Sequence, residues 1–380
     1  MRKHLFCILF ILLISCSNNK ESNTNPFLFN SKSYLEMDLD KKNSFLDSLL
    51  LITTKLNNDS NSRKFLFDLS TEFYYSNQFN KSLKTSKRVL QLSIVSKDTL
   101  GIAKSLYYIG DSYESTHKDS SYFYYHQAEK FYRLLSNDEM AARMLFNKAY
   151  VMFYYGNYLE SEIMVSQSLK LLKKSDDKRL IFTCYNLLGS ALKNMEEYNS
   201  ALLYYLNAQQ LLNNYNKIIN ENDTKNNFRL ILSVNIADVY ERQFEYSKAE
   251  KELESVLTKD LKEKWPKDYA TVIGNLGYVK SKLGQSTEGE VLMKEALFLS
   301  RKSGIESSIV YKLHNLGKYY VNTKDTLQAI RYLKESLQLA EKLKSTDDVK
   351  INLQLLSTID KANTSYYDKR YITVSDSLTK

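Results

Sequence analysis

The chain repeats one pattern of small, apolar and polar positions about every 40 residues. A small residue is followed 12 positions later by a second small residue, except in the second unit, where the offset is 11. Apolar residues recur at helical spacing around both positions, so each unit is predicted to be two helices joined by a short polar turn. The first small positions are Ser70, Gly110, Ala149, Gly189, Ala237, Gly277 and Gly317, and the second are Ser82, Ser121, Ser161, Ala201, Ala249, Gly289 and Ala329.

The small residues have a packing role in this prediction. When two antiparallel helices each carry a small residue where they meet, their backbones approach closely and larger flanking side chains fill the remaining space. A short or apolar residue stands seven positions after the second small one, two turns along the same helical face, where the next unit docks. The predicted fold is therefore all-α, with about seven antiparallel helix pairs stacked in an array.

The pattern also sets the predicted domain boundaries. The array of seven repeats covers residues 63–345, and a degenerate eighth repeat or C-terminal cap follows at 346–380. An N-terminal cap at 33–62 contains one predicted amphipathic helix at 33–56, because the end unit of a solenoid otherwise exposes its docking face. One step between units is 48 residues long, and the surplus is assigned to a polar, Asn-rich loop at 213–227.

Composition supports an all-helical protein. The 380 residues include only 2 Pro and 10 Gly, too few for the turns of a β-sandwich or an α/β enzyme of this length. Hydrophobic residues make up 43%, which suffices for a core, and the 30 Tyr argue against disorder. The net charge is +9, but basic and acidic residues are interleaved, which predicts a solvated surface and no nucleic-acid-binding stripe.

Several stretches resemble the tetratricopeptide repeat (TPR). Asn275-Leu276-Gly277 and Asn315-Leu316-Gly317 look like its first-helix motif, and residues 189–208 match its run of small and aromatic residues. The resemblance covers about residues 63–345 and implies a right-handed α-solenoid whose first helices line a concave groove. The period of about 40 exceeds the usual length of about 34, and the typical Trp and Pro are missing, so the resemblance is to longer-helix relatives of the repeat.

The N-terminal residues have the pattern of an export signal. Two basic residues precede an apolar run at 5–14, which is too short to span a bilayer and is typical of a signal peptide. The run ends in Leu13-Ile14-Ser15-Cys16, which resembles the lipobox of bacterial lipoproteins.

This resemblance implies a lipid-anchored protein of the cell envelope. The signal peptide would be residues 1–15, Cys16 would carry the lipid, and the Asn-, Ser- and Lys-rich residues 16–32 would form a flexible tether. Ser17 stands where an Asp would favour the inner membrane, so the resemblance favours the outer membrane. The alternative is an ordinary secretory signal with an incidental cysteine.

Residues with catalytic or metal-binding chemistry are few and scattered. His117, His126 and His314 have no partner at metal-ligand spacing, and the sequence contains neither a phosphate-binding glycine loop nor a nucleophile elbow. Cys184 has no candidate base beside it and is interpreted as a buried structural thiol. The sequence therefore predicts no catalytic residue, no metal site and no cofactor.

The groove that the TPR resemblance implies is the remaining candidate site. Tyr74, Tyr107, Arg143, Phe146 and Tyr150 occupy predicted inward positions on the first helices of the first three units. Tyrosine combines a large contact area with a polar tip, which suits the recognition of a partner. The alternative is that half of these aromatic side chains only pack between helices.

Asparagine recurs in one register along the array. Asn147, Asn235, Asn275 and Asn315 each stand two residues before the first small position of their unit. In related peptide-binding TPR proteins an asparagine there holds the backbone of an extended ligand, and an amide supplies both a donor and an acceptor for this purpose. We expect these four side chains to face inward and bind a peptide. The alternatives are that they form hydrogen bonds within each helix pair, or that Asn recurs there only because this chain is rich in Asn.

Two functions agree with these patterns. The first is a non-catalytic scaffold, anchored by lipid in the envelope, that binds a protein or an extended peptide and neither nucleic acid nor a small-molecule substrate. The second is the periplasmic sensory part of a TPR-type signalling or transcription regulator without its output module. Residues 371–378 resemble the end of the TPR array in such envelope regulators.

Overall fold

A computed structural model of the chain describes residues 29, 32–114, 116–214 and 222–378. Throughout this part of the chain the regular secondary structure is helical and no β-strand occurs. Besides single-turn and 3₁₀ segments, the helices are α1 Leu39–Ile52, α2 Ser60–Tyr75, α3 Phe79–Val95, α4 Thr99–Tyr113, α5 Lys118–Leu134, α6 Asp138–Tyr154, α7 Tyr158–Leu171, α8 Lys178–Asn194, α9 Tyr198–Asn214, α10 Asn222–Arg242, α11 Tyr246–Ser255, α12 Pro266–Lys282, α13 Ser286–Ser303, α14 Glu306–Asn322, α15 Thr326–Lys342, α16 Thr346–Ile359 and α17 Thr364–Leu378.

The helices form the predicted all-α solenoid of TPR-like pairs. The seven first helices of the repeats are α2, α4, α6, α8, α10, α12 and α14, and α16 with α17 follows as the eighth pair. The chain divides into two compact units, one ending at Ala191 and one beginning at Leu192. Within each unit, consecutive helices pack against one another, for example α4 against α5 and α12 against α13.

The small positions bring helix backbones together as the sequence predicts. A Cβ atom added to Gly277 on α12 would lie 2.6 Å from the carbonyl oxygen of Gly289 on α13, and one added to Gly289 would lie 2.4 Å from the carbonyl oxygen of Gly277. In the first repeat, Ser70 Oγ donates to the carbonyl oxygen of Ser82 at 3.0 Å. The predicted docking positions are also buried in most units, including Val89, Ala128 and Ser168.

The turns inside the helix pairs share one backbone feature. Asn77, Gly156, Glu196, Phe244, Gly284 and Lys324 all have positive φ, and each stands seven residues after the first small position of its repeat. Glycine adopts this left-handed conformation without a steric cost, whereas the four other residue types do not. The repeat geometry therefore fixes the conformation at this turn position, whether or not the residue there is glycine.

The N-terminal cap differs from the single helix predicted for residues 33–56. A short helical turn at Lys32–Leu35 is separated from α1 by Asp38, whose backbone is extended and whose carboxylate accepts a hydrogen bond from the amide of Lys41. Asp38 therefore starts a new helix instead of continuing the first one. α1 still covers the first repeat, since Leu46 and Leu49 are buried in one cluster with Phe65 and Phe73 of α2.

The N-terminal predictions and part of the long loop lie outside the described residues. The signal peptide at 1–15 and Cys16 are among these, together with nearly all of the tether at 16–32 and residues 215–221 of the loop at 213–227. None of the helices in the described part of the chain combines the length and the apolar character needed to cross a bilayer.

Candidate peptide-binding groove

Residues from the first three repeats line an open groove in the first unit, with a volume of about 280 Å³. Helical spacing places side chains three or four positions apart on the same face, so α2 and α4 each present a short row to this space, and α6 contributes one residue. The lining residues are Thr71, Tyr74, Tyr75, Tyr107, Tyr108, Asp111, Glu114 and Asn147.

Four tyrosine rings form most of the walls of the groove. The ring centroids of Tyr74 and Tyr75 are 5.9 Å apart, and those of Tyr107 and Tyr108 are 5.2 Å apart. Behind them, the ring of Tyr107 lies 6.3 Å from that of Tyr125 on α5. Burial raises the pKa of Tyr74 to about 12, so its hydroxyl stays protonated and can donate a hydrogen bond at neutral pH.

Two carboxylates lie between these rings. The hydroxyl of Tyr125 donates to Asp111 Oδ1 at 2.7 Å and also lies 3.2 Å from Glu114 Oε2, so one buried phenol positions both acids. Burial raises the pKa of Asp111 to about 7, and the nearby carboxylate of Glu114 acts in the same direction. Among the described residues, neither acid lies within ion-pair distance of a Lys or Arg side chain.

Gly110 makes room for the phenol that holds these acids. A Cβ atom at this position would lie 2.7 Å from the Tyr125 ring, closer than side-chain carbon atoms approach in folded proteins. The first small position of the second repeat thus admits an aromatic ring, whereas in the sixth repeat it admits a backbone. The sequence pattern identifies the small position, but it does not reveal whether an aromatic ring or a helix backbone packs against it.

The structure brings some of the predicted groove residues together and separates others. Tyr74, Tyr107 and Asn147 line the groove as predicted. Tyr75 and Tyr108 also line it but were not predicted, although both stand in Tyr-Tyr pairs that indicate an aromatic face.

Three other predicted groove residues are not among those that line it. Arg143 is bound to Asp177 through its Nη2 atom. Phe146 is partly buried, and Tyr150 is exposed, with Lys118 Nζ 5.7 Å from its ring centroid.

The asparagine register does not produce one kind of environment. Asn147 lies in the first unit, whereas Asn235, Asn275 and Asn315 lie in the second. Asn235 is partly buried, but Asn275 and Asn315 are only 8% and 5% exposed, and Asn275 Oδ1 is buried without a hydrogen-bond partner among the described residues. The expectation that all four amides face an open groove is therefore not met by Asn275 and Asn315.

In the second unit, an ion pair joins two of the first helices. Glu241 on α10 and Lys318 on α14 approach to 3.6 Å, although the helix α12 lies between them in sequence. Lys318 Nζ also lies 4.4 Å from the centroid of the Tyr278 ring on α12. The ion pair therefore joins α10 to α14, with the Tyr278 ring of α12 beside it.

The other residues with candidate chemistry have structural surroundings. Cys184 is buried, its Sγ atom lies 3.5 Å from Ser168 Oγ, and burial raises the pKa of its thiol to about 12, which keeps it protonated. His314 Nδ1 lies 3.2 Å from Asn352 Oδ1, and burial lowers the pKa of this imidazole to about 4. No group of His, Cys, Asp and Glu side chains in the described residues has an arrangement that could hold a metal ion.

Comparison with known families finds one repeat by sequence. A family model described as "Tetratricopeptide repeat" matches residues 313–343, which correspond to most of α14 and α15. A TPR repeat is therefore present in this stretch of the chain. None of the curated proteins compared with the chain matches it.

Solved structures with a similar fold include several bacterial regulators. The apo form of the quorum sensor NprR from B. thuringiensis is 15% identical, with a TM-score of 0.64 over 90% of this chain and 94% of that chain. The Rap conjugation gene regulator of the plasmid pLS20, in complex with the Phr* peptide, is 16% identical, with a TM-score of 0.59 over 91% and 92%. Aspartyl phosphate phosphatase F from Bacillus subtilis is 12% identical, with a TM-score of 0.60 over 89% of each chain. At these identities the likeness concerns the fold alone.

Proposed function

We propose that this chain is a non-catalytic scaffold that binds an extended peptide, or an extended segment of a protein, in the groove of its first unit. The observation that carries this proposal is the lining of the groove: four tyrosines, two carboxylates and one amide on successive repeats. Tyrosine rings give contact area at a low entropic cost, and the amide of Asn147 can pair with a peptide group of any sequence.

The similar structures support a peptide ligand. The pLS20 regulator was solved with the Phr* peptide, and NprR was solved in complex with its cognate peptide NprX. One similar structure is a phosphatase by name, so the fold also occurs in a protein with catalytic activity. Our proposal of a non-catalytic role rests on the scattered reactive residues in the sequence and on the buried, protonated thiol of Cys184.

A photo-crosslinking experiment tests the peptide-binding role. Benzoylphenylalanine placed at Thr71, which lines the groove, should crosslink to an extended segment of a partner in an envelope fraction, and mass spectrometry would locate the linked residues. The same group at Lys130, an exposed position on α5, is the matched control. Equal crosslinking from both positions, or none from Thr71, would contradict the proposal.

We also propose that lipid on Cys16 anchors the scaffold in the cell envelope, at the outer membrane. The support is the Leu13-Ile14-Ser15-Cys16 junction and the Ser17 that follows it. Cys16→Ala should release the protein from membranes or leave an uncleaved precursor, and it should abolish palmitate labelling. Unchanged labelling and membrane fractionation would refute lipid anchoring while leaving the groove proposal intact.

The second candidate is the sensory part of a regulator. Its support is that similar structures are named as a quorum sensor and as a conjugation gene regulator. The test is the DNA that follows the codon for Lys380. A reading frame there that encodes a membrane span and a DNA-binding module would favour this role, and unrelated sequence would favour the scaffold.

A further inference from the structure

The groove of the first unit carries negative charge that the described part of the chain leaves without an ion pair. Asp111 and Glu114 both line the groove, and no described Lys or Arg side chain lies within ion-pair distance of either carboxylate. A carboxylate that is removed from water without a counter-charge costs free energy, so its retention in an open groove calls for a reason.

The cations around the groove are engaged elsewhere. Arg143 binds Asp177, which caps the start of α8 by accepting a hydrogen bond from the amide of Leu180 at 2.9 Å. Lys118 Nζ donates to the backbone carbonyl oxygen of Glu114 at 2.6 Å and lies 4.5 Å from the ring centroid of Tyr154. Neither cation forms an ion pair with the two groove carboxylates, although the charge of Arg143 lowers the pKa of Asp111, so both acids can still accept from another donor.

The two acids are held in place before any ligand arrives. Tyr125 is fully buried, and its single hydroxyl contacts Asp111 and Glu114 at once. Fixed acceptors lose little conformational entropy when a ligand binds, which favours binding. The tyrosine rings beside them add faces of negative electrostatic potential, and such faces attract cations.

We propose that this groove binds the cationic side chain of a Lys or Arg residue in an extended peptide, with Asp111 and Glu114 as its counter-charges and Tyr74, Tyr75, Tyr107 and Tyr108 as its walls. The inference rests on the proposed peptide-binding function and specifies the chemistry of the ligand. A volume of about 280 Å³ lies just below the range of sites for drug-sized ligands, so it suits one side chain better than a folded surface.

The ionisation of Asp111 agrees with this role. The titratable groups that face it come from three neighbouring helices and from its own segment: Tyr74 on α2, Tyr125 and Tyr132 on α5, Arg143 on α6, and Tyr107, Tyr108 and Glu114 nearby in sequence. Burial is the largest influence on its pKa of about 7. A cation bound beside Asp111 favours the ionised form and lowers this pKa. Binding should therefore release a proton near neutral pH and strengthen as the pH rises through 7.

Peptide pools with one fixed position test the proposal. The probes are fluorescently labelled heptapeptides, capped at both ends, whose central residue is Arg, Lys, citrulline, norleucine or Glu and whose other positions vary among uncharged residues. Fluorescence polarisation with the full chain should show the Arg and Lys pools binding about ten- to a hundredfold more tightly than the citrulline and norleucine pools. Because both ends are capped, a terminal amine cannot account for this preference.

Substitution of the two groove carboxylates tests whether they cause the preference for Arg and Lys peptides. Asp111→Asn and Glu114→Gln should each reduce it, and their combination should bring the pools to within about twofold. Asp138→Asn, which removes the same charge from an exposed position at the start of α6, is the matched control and should keep the full preference. Circular dichroism confirms that each variant folds.

The outcomes separate this inference from the proposed function. If every pool binds with similar affinity, the peptide-binding role stands and the cationic preference is wrong. A preference for the Glu pool, or one for Arg that survives in the double variant, also overturns the inference. If no pool binds and Thr71 yields no crosslink, both proposals fail.

Discussion

Replacing Asp111 with Asn should stabilise the protein at neutral and alkaline pH. Burial raises the pKa of this carboxyl from 3.8 to about 7, so the folded state keeps a proton that the unfolded chain has already released. The contribution of Asp111 to stability is therefore complete below about pH 4, falls as the pH rises to about 7, and is constant above that. The Asn side chain carries no charge at any of these pH values, so the variant does not lose stability in this way as the pH rises.

The magnitude follows from the difference between the two pKa values. About three pKa units correspond to about 4 kcal/mol of lost stability at pH 8, and this is an upper value because water that enters the open groove reduces it. Asn has nearly the same shape as Asp, and its carbonyl oxygen can still accept the hydrogen bond from Tyr125. The variant should match the wild type near pH 4 and exceed its stability by about 2–4 kcal/mol at pH 8.

Urea denaturation monitored by circular dichroism at several pH values measures this difference. Each repeat of a solenoid contacts mainly its neighbours, so amide hydrogen exchange in α4 and α5 should follow the same trend locally. Asp138→Asn is the control, and its stability should parallel that of the wild type. Parallel pH profiles for wild type and Asp111→Asn, or a variant that is less stable at pH 8, would refute the reasoning.

Two further predictions test packing and the asparagine register. Gly277→Leu should cost about 1–3 kcal/mol or more, because its Cβ atom would meet a facing backbone carbonyl that cannot move aside, and hydrogen exchange should rise in α12 and α13 first. Asn147→Ala should weaken peptide binding about two- to tenfold with little effect on melting, whereas Asn315→Ala, at a buried position, should cost about 1–3 kcal/mol of stability. Equal effects of the two asparagine variants on melting would contradict the difference in their surroundings.

The spacing of small residues was sufficient to predict the repeat, because packing two helices imposes a local requirement that recurs in every unit. Gly277 and Gly289 illustrate this: each leaves space into which the backbone carbonyl oxygen of the other approaches most closely. The turn between the two helices of a repeat is a second local requirement that recurs along the array. Phe244 and Lys324 adopt the positive-φ conformation at this position although neither is glycine.

The surroundings of the asparagines could not be predicted in this way. On α12 every residue from Val272 to Lys280 is buried, so neighbouring elements cover the helix on all its faces, and Asn275 is buried with them. Asn147 has the same register on α6 and lies in an open groove. The difference depends on which side chains of neighbouring elements pack against each helix, and a repeat pattern of small positions contains no information about those neighbours.

The Tyr125 hydroxyl connects the packing of the second repeat to the proposed binding site, and its removal tests that connection. Its hydrogen bond to Asp111 favours the ionised carboxylate and so lowers the pKa of that group, in opposition to burial. Tyr125→Phe keeps the ring that occupies the space beside Gly110 but removes this donor. The pKa of Asp111, followed by nuclear magnetic resonance of its carboxyl carbon, should therefore rise above its wild-type value of about 7. Less of the acid is then ionised at neutral pH, and the Arg peptide pool should bind more weakly at pH 7 but recover at higher pH. If Tyr125 had only a structural role, Tyr125→Phe would weaken binding equally at every pH. That result would show that the hydroxyl does not affect cation binding through the ionisation of Asp111.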